Sequence, residues 1–187
     1  MLDAARQLFE DVGYEAATIR DIARRADVSV GSVFTGFASK SHVLVEVIGS
    51  RLDELYADLE RVAPHLRGST ADRIRSLFAV HYAFEFRRLR LFLAHISVAF
   101  EWRETPDLPV LGTNRRLRGM IRDCLAEGAA RGDVRADVDL ELLIDLLIGA
   151  YVWNYRFAAA DRADAERLTA LFDRQVGMIF EGLTPAR

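Results

Sequence analysis

Cysteine occurs once, at Cys124, and lysine once, at Lys40. A single thiol excludes an intramolecular disulfide and fits a reducing compartment, so Cys124 is expected to be a small buried hydrophobe. No run is apolar for long enough to cross a bilayer, since the best candidate, 140–153, is interrupted by Glu141 and Asp145. Clustered cysteines, a phosphate-cradling glycine loop and a nucleophile elbow are also missing, which removes the usual sequence marks of an enzyme; no catalytic residue and no cofactor are expected. No secretory leader pattern is visible, and a cytoplasmic, non-membrane protein is expected. Positive charge is scarce in residues 1–50, where five bases (Arg6, Arg20, Arg24, Arg25, Lys40) face seven acids, within a chain of formal net charge -3. With 51% hydrophobic and 28% charged residues over 187 positions, the chain is otherwise an ordinary folded protein of one or two domains.

The most informative stretch runs from Thr18 to Lys40. Ile19, Ile22, Ala23 and Ala26 recur at helical spacing, with Thr18 placed to cap and Asp21 three residues on to complete a capping box. Asp27 sits where a sharp turn needs a residue that tolerates a left-handed conformation. Val28 is expected to be buried in that turn, and Ser29 to cap a second helix, Val30 to Phe37. Val33 and Phe37 would face inward, leaving Val30, Ser32, Thr35 and Gly36 as a short outward face. Two short helices at a tight turn read as a helix-turn-helix, and such a face is what a major groove admits. Arg20 and Arg24, four apart, share a helical face, and their placement decides whether a segment this acidic can meet DNA.

Together with Ala5, Leu8 and Phe9, the Gly13-Tyr14 stop, the run Gly31-Ser32-Val33-Phe34, Phe37 and Ser39-Lys40, these residues resemble the TetR family of transcriptional repressors over roughly residues 1–47. The resemblance implies an all-α protein of about nine helices, with a DNA-binding module at 1–47 and an effector-binding and dimerisation domain at 48–187. It implies further that Val30, Ser32, Thr35 and Gly36 face the bases or their sugar edge, that Phe34 and Lys40 lie at phosphates, and that Thr18 and Ser29 lie near the backbone. Phe34 replaces a family tyrosine and lacks its hydroxyl, and Gly36 stands where a larger polar residue is common. The sequence begins inside the first helix, so any basic arm ahead of it would precede Met1.

The first helix is expected over Leu2–Val12, with Ala5, Leu8, Phe9 and Val12 inward and Gly13 as a left-handed stop. After the helix-turn-helix, Ser41 is expected to cap a long helix to about Val62, and Pro64, Gly68 and Ser69 to break it. Further helices are expected at 70–88, 91–103 and 114–130, with a loop at 105–109. Asp137 or Asp139 caps a helix to about Ala159 that is apolar on nearly all sides, and 163–182 pairs with it. A helix of that kind is buried on more than one face. Helices at about 138–159 and 163–182 are therefore expected to form a homodimer interface, as the family resemblance also implies.

A small-molecule effector is expected among Phe78, His81, Tyr82, Phe92, His95, Phe100, Trp102, Tyr151 and Trp153, a largely aromatic set with a few polar handles. The plainer reading of any single one is core filling. His81, Glu85 and His95 invite a metal reading, but a structural site wants four closed ligands and none is expected. The basic run Arg115, Arg116, Arg118 and Arg122 reads as a solvated helix face. The expected function is thus a ligand-responsive repressor that binds a palindromic operator in double-stranded DNA as a homodimer, with the long helix from Ser41 as its transmitter. The competing reading is a helical ligand-binding or interaction protein that keeps the fold without strong DNA affinity.

Overall fold

The computed structural model describes residues 1–100, 112, 114–160 and 162–183. Among them the chain is helical with no strand: α1 (Leu2–Val12), α2 (Ile19–Arg25), α3 (Val30–Gly36), α4 (Lys40–Val62), a short 3-10 helix (Ala63–His65), α5 (Thr70–Phe86), α6 (Leu89–Ala99), α7 (Arg115–Arg131), α8 (Leu140–Ala159) and α9 (Ala165–Glu181). Contacts group these elements into two compact units, Met1–Leu55 with Arg88–Leu111, and Tyr56–Arg87 with Gly112–Arg187.

In the first unit, the starts of the short helices are fixed by side-chain caps. The Asp21 backbone N–H donates to Thr18 Oγ1 at 3.2 Å while Thr18 N–H donates back to Asp21 Oδ2 at 3.2 Å, a closed capping box. Ser32 N–H donates to Ser29 Oγ at 3.0 Å at the head of α3. Asp27 makes the turn between them with φ 53°, the only positive φ of a non-glycine residue among the described residues. Val28, expected to be buried there, is 37% exposed, because the turn carries it past the edge of the core. Ser39 rather than Ser41 heads α4: His42 N–H donates to Ser39 Oγ at 3.0 Å, and Ser41 pairs with the same hydroxyl at 2.7 Å. Gly13 ends α1 with φ 84° but ψ 158°, an extended turn instead of the expected left-handed helical one. Ala5, Leu8, Phe9, Ile22, Val33 and Leu44 are the heart of the core, which Leu91 and Val98 of α6 join. Arg88, just ahead of α6, pairs with Glu10 of α1.

The second unit is a helical bundle in which α5 packs on α7 and α9, and α8 on the same two helices. Its helices are also capped: Ser69 and Asp72 close a capping box on α5, Asn114 caps α7, Asp139 caps α8 and Asp164 caps α9. Asp139 is therefore the residue that starts α8. The α5–α7 crossing is close enough that Gly128 lies directly against Thr70, which is fully buried. The arginines of α7 lie on a charged face, with Arg118 clamped by Glu141 and Asp145 at 2.8 and 2.6 Å, and Arg116 paired with Glu60 at 2.7 Å. Along α8, one side is core, and the other leaves Leu142, Leu146 and Trp153 more than half exposed.

Candidate functional site

The helix-turn-helix presents α3 almost naked. Of its seven residues only Val33 is buried, and Val30, Gly31, Ser32, Phe34, Thr35 and Gly36 are all exposed. A single buried anchor suffices because α2 supplies Ile22 and Ala23 behind it. The hydroxyls on this face are already engaged: Ser32 Oγ pairs with Ser29 Oγ at 2.8 Å, and Thr35 Oγ1 donates to the Gly31 carbonyl at 3.0 Å. Thr18 stands exposed at the head of α2 and holds Asp21 with its own hydroxyl at 2.6 Å, which, with Arg24 nearby, keeps that carboxyl below its ordinary range.

The basic residues are distributed unequally. Arg24 pairs with Asp21 at 2.9 Å, Arg25 with Asp11 at 2.6 Å, and Arg6 with Asp3 at 3.1 Å. Lys40 turns away from solvent: its Nζ donates to the carbonyls of Tyr14, Glu15 and Ala17 at 2.8, 3.3 and 3.1 Å and lies 4.3 Å from the Tyr14 ring centroid. An ammonium has three donors, so a phosphate at Lys40 would have to take one from a carbonyl. Arg20 is exposed and, among the described residues, has no ion pair, which makes it the freest cation of the module.

The aromatic set divides. Phe78, His81, Tyr82 and Tyr151 meet inside the second unit, with ring centroids 4.7 Å apart for Tyr82 and Tyr151, 5.1 Å for Phe78 and Tyr151, and 5.7 Å for His81 and Tyr151. Phe92 and His95 belong to the first unit, where their rings are 6.3 Å apart. Phe100 and Trp153 are 51% and 63% exposed, so neither points into a core as expected; helical phase puts Trp153 on the outer side of α8. Trp102 lies outside the described residues.

Polar groups thread the buried cluster. Tyr82 Oη donates to the Tyr151 carbonyl at 3.2 Å and accepts from Asn154 Nδ2 at 3.2 Å, and Asn154 and Gln175 exchange amide hydrogen bonds at 2.7 and 3.1 Å. Tyr151 and Tyr155 share a hydroxyl bond at 3.0 Å, and burial raises the pKa of Tyr82, Tyr151 and Tyr155 so that all three stay protonated. His81 is buried with Nε2 unpartnered, and desolvation lowers its pKa to about 4. A neutral imidazole beside protonated phenols offers a ligand hydrogen bonds without charge. Asn154 and Gln175 were not foreseen; the available signal was a lone amide in the apolar run of α8. A cleft of about 180 Å³ opens in the same unit, lined by Arg73, Leu77, Met120, Cys124 and Glu127 among others. Among the described residues no group of three or more His, Cys, Asp or Glu could hold a metal, and no helix is long and apolar enough to cross a membrane.

A capped two-helix turn that leaves its second helix bare belongs to the helix-turn-helix class. Residues 1–47 match the family model described as bacterial regulatory proteins, tetR family. Over those 47 residues the chain is of the TetR family. It is 40% identical over 70 residues to the transcriptional repressor KstR of Mycolicibacterium smegmatis, covering 37% of this chain and 33% of that protein. With KstR2 of the same organism the identity is 31% over 133 residues, 68% of this chain and 62% of the relative. The matches thus span between a third and just under two thirds of these curated relatives. The fold is that of Thermus thermophilus FadR, solved in complex with lauroyl-CoA: TM-score 0.79 at 22% identity, over 100% of this chain and 94% of that one.

Proposed function

We propose that the protein is a ligand-responsive transcriptional regulator, a repressor, that binds a palindromic operator as a homodimer and is released by a small, mainly apolar effector. The observation that carries this reading is α3: six of its seven residues are exposed on a helix whose start and angle are fixed by Thr18, Asp27 and Ser29. A helix held that firmly and left bare suits a groove. Thr18, Arg20, Arg24 and Ser29 are the backbone contacts, and Val30, Ser32, Thr35 and Gly36 the base-facing positions. One such helix reads few bases, and two set about 34 Å apart read a palindrome. The second copy docks on α8 and α9, where Leu142, Leu146, Trp153 and Met178 are 58%, 55%, 63% and 75% exposed.

The cluster of Phe78, His81, Tyr82 and Tyr151 suits an effector with an apolar body and one or two hydrogen-bonding groups. An acyl-CoA is the first class to test, since a protein of the same fold binds one. An effector acts only by its differential affinity for the two states, and α4, which runs on from the DNA module, is the transmitter.

The test is binding to labelled DNA from upstream of the chain's own gene against a scrambled duplex, across a salt series, with and without lauroyl-CoA. Preference for the upstream duplex that weakens with salt is expected. Equal binding to both duplexes would favour a helical ligand-binding protein without DNA function.

A further inference from the structure

We propose that α3 recognises its operator through thymine 5-methyl groups, contacted by the side-chain methyls of Val30 and Thr35, and makes no bidentate hydrogen bond to any base. This rests on the DNA-binding reading above. The helix Val30–Gly36 contains no Arg, Lys, Asn, Gln, His, Asp or Glu. These are the side chains that pair with guanine, adenine or cytosine edges in the major groove, so every two-bonded contact is ruled out by composition.

Ser32 and Thr35 remain, and both hydroxyls are engaged within the protein. Thr35 Oγ1 donates to the Gly31 carbonyl at 3.0 Å, and Ser32 Oγ shares a 2.8 Å bond with Ser29 Oγ, which also accepts from Ser32 N–H. A base acceptor that took the Thr35 proton would replace a bond that already exists and gain little, and the oxygens that remain open can each accept a single bond from a base amine at most. Thr35 keeps a methyl, and Val30, 37% exposed, offers two. In the major groove the one apolar feature that distinguishes a base pair is the thymine methyl. Phe34, 53% exposed and without a hydroxyl, adds apolar surface beside these positions and no hydrogen bond. Thymine-bearing pairs are therefore the class of partner this helix distinguishes.

The experiment starts from a randomised duplex library selected on the full-length protein, followed by replacement of each thymine in the selected operator by deoxyuridine. Uracil pairs as thymine does and keeps every hydrogen-bonding edge, so only the methyl is lost. Affinity is expected to fall roughly fourfold at each contacted thymine. Thr35→Ser removes the protein methyl while keeping the hydroxyl bonded to Gly31, and Val30→Ala trims the other contact; each is expected to erase the thymine-over-uracil difference at its own position. If thymine and uracil operators bind equally, the proposal is overturned while the regulator reading stands. If the library yields no enriched duplex, the regulator reading falls, and the proposal with it.

Discussion

A methyl group added at Gly128 tests the helix crossing on which the second unit is built. A Cβ there would lie 2.1 Å from Thr70 Oγ1, 2.8 Å from its Cγ2 and 2.9 Å from its Cβ, all well inside contact distance. Thr70 cannot easily swing away. It is fully buried, and its Oγ1 is held by Asp133 Oδ2 at 3.0 Å and by Arg131 Nη2 at 3.1 Å, while its own N–H donates to Asp133 Oδ2. The substitution must therefore push α5 and α7 apart and, in doing so, break Thr70 contacts. Overpacking a tight core costs about 1–3 kcal/mol. Losing a hydrogen bond to a charged group costs about 1.5–3 kcal/mol more. Against this, alanine favours a helix over glycine by roughly 1 kcal/mol. The clash wins, and Gly128→Ala is expected to destabilise the fold by about 1.5–5 kcal/mol. In urea, with a slope of about 2 kcal/mol per molar, the midpoint would fall by about 1–2.5 M at fixed protein concentration. Thr70→Ala in the same background removes the 2.1 and 2.8 Å contacts and leaves only the 2.9 Å one, so the double variant should be more stable than the sum of the singles by at least about 1 kcal/mol. A Gly128→Ala protein as stable as the parent, or stabilised by the propensity gain, would refute the close crossing.

His81 and His95, whose pKa values burial lowers to about 4, are neutral when folded and free to protonate from about 6.5 when unfolded. A depressed pKa gives stability that is present above 6.5 and lost as pH falls towards 4, with a slope approaching about 1.4 kcal/mol per pH unit for each group; His81→Leu should flatten the denaturation-versus-pH curve in that window, and an unchanged slope would place the imidazole in water. The proposed dimer face makes Trp153 an anchor of the kind whose loss costs about 2 kcal/mol or more. Trp153→Ala is expected to weaken self-association at least about thirtyfold by sedimentation, and an unmoved monomer–dimer equilibrium would put the interface elsewhere.

Where structure follows from local rules, the sequence was a good guide. Thr18 with Asp21, Ser29 and Asp27 act within one or two turns of chain, and each takes the cap or turn its chemistry suggests. The amphipathic helices were equally legible, within a few residues at their ends. What could not be read was which side of an apolar helix meets something. Trp153 and Tyr151 are two residues apart on α8, yet one is 63% exposed and the other 4%, because helical phase relative to α9 decides and the composition of an all-apolar run does not mark it. Phe100 was misplaced for a related reason: it follows the end of α6, where the periodic signal stops constraining direction. The Asn154–Gln175 pair joins α8 to α9 over 21 residues of sequence, and long-range partners of that kind leave no local trace.

The acidity of residues 1–50 is reconciled with the proposed DNA binding by counting cations that remain free. Arg6, Arg25 and Arg24 are paired with Asp3, Asp11 and Asp21, and Lys40 is held by three carbonyls, so of the five bases Arg20 is the one left without such a partner among the described residues. Each phosphate neutralised contributes about 0.9 to the slope of log affinity against log salt. One free arginine per protomer gives a dimer slope near 2, rising to about 4 if Arg24 exchanges Asp21 for a phosphate. On the proposed reading affinity must then come mainly from apolar contact at α3, which is where a helix without charged or amide side chains directs it. Arg20→Ala should lower the slope by about 1 per protomer and weaken all sequences alike, leaving the preference for the operator intact. A parent slope of about 6 or more would mean that the ion pairs seen here dissolve on DNA, and that the methyl contacts of α3 are a minor part of the binding.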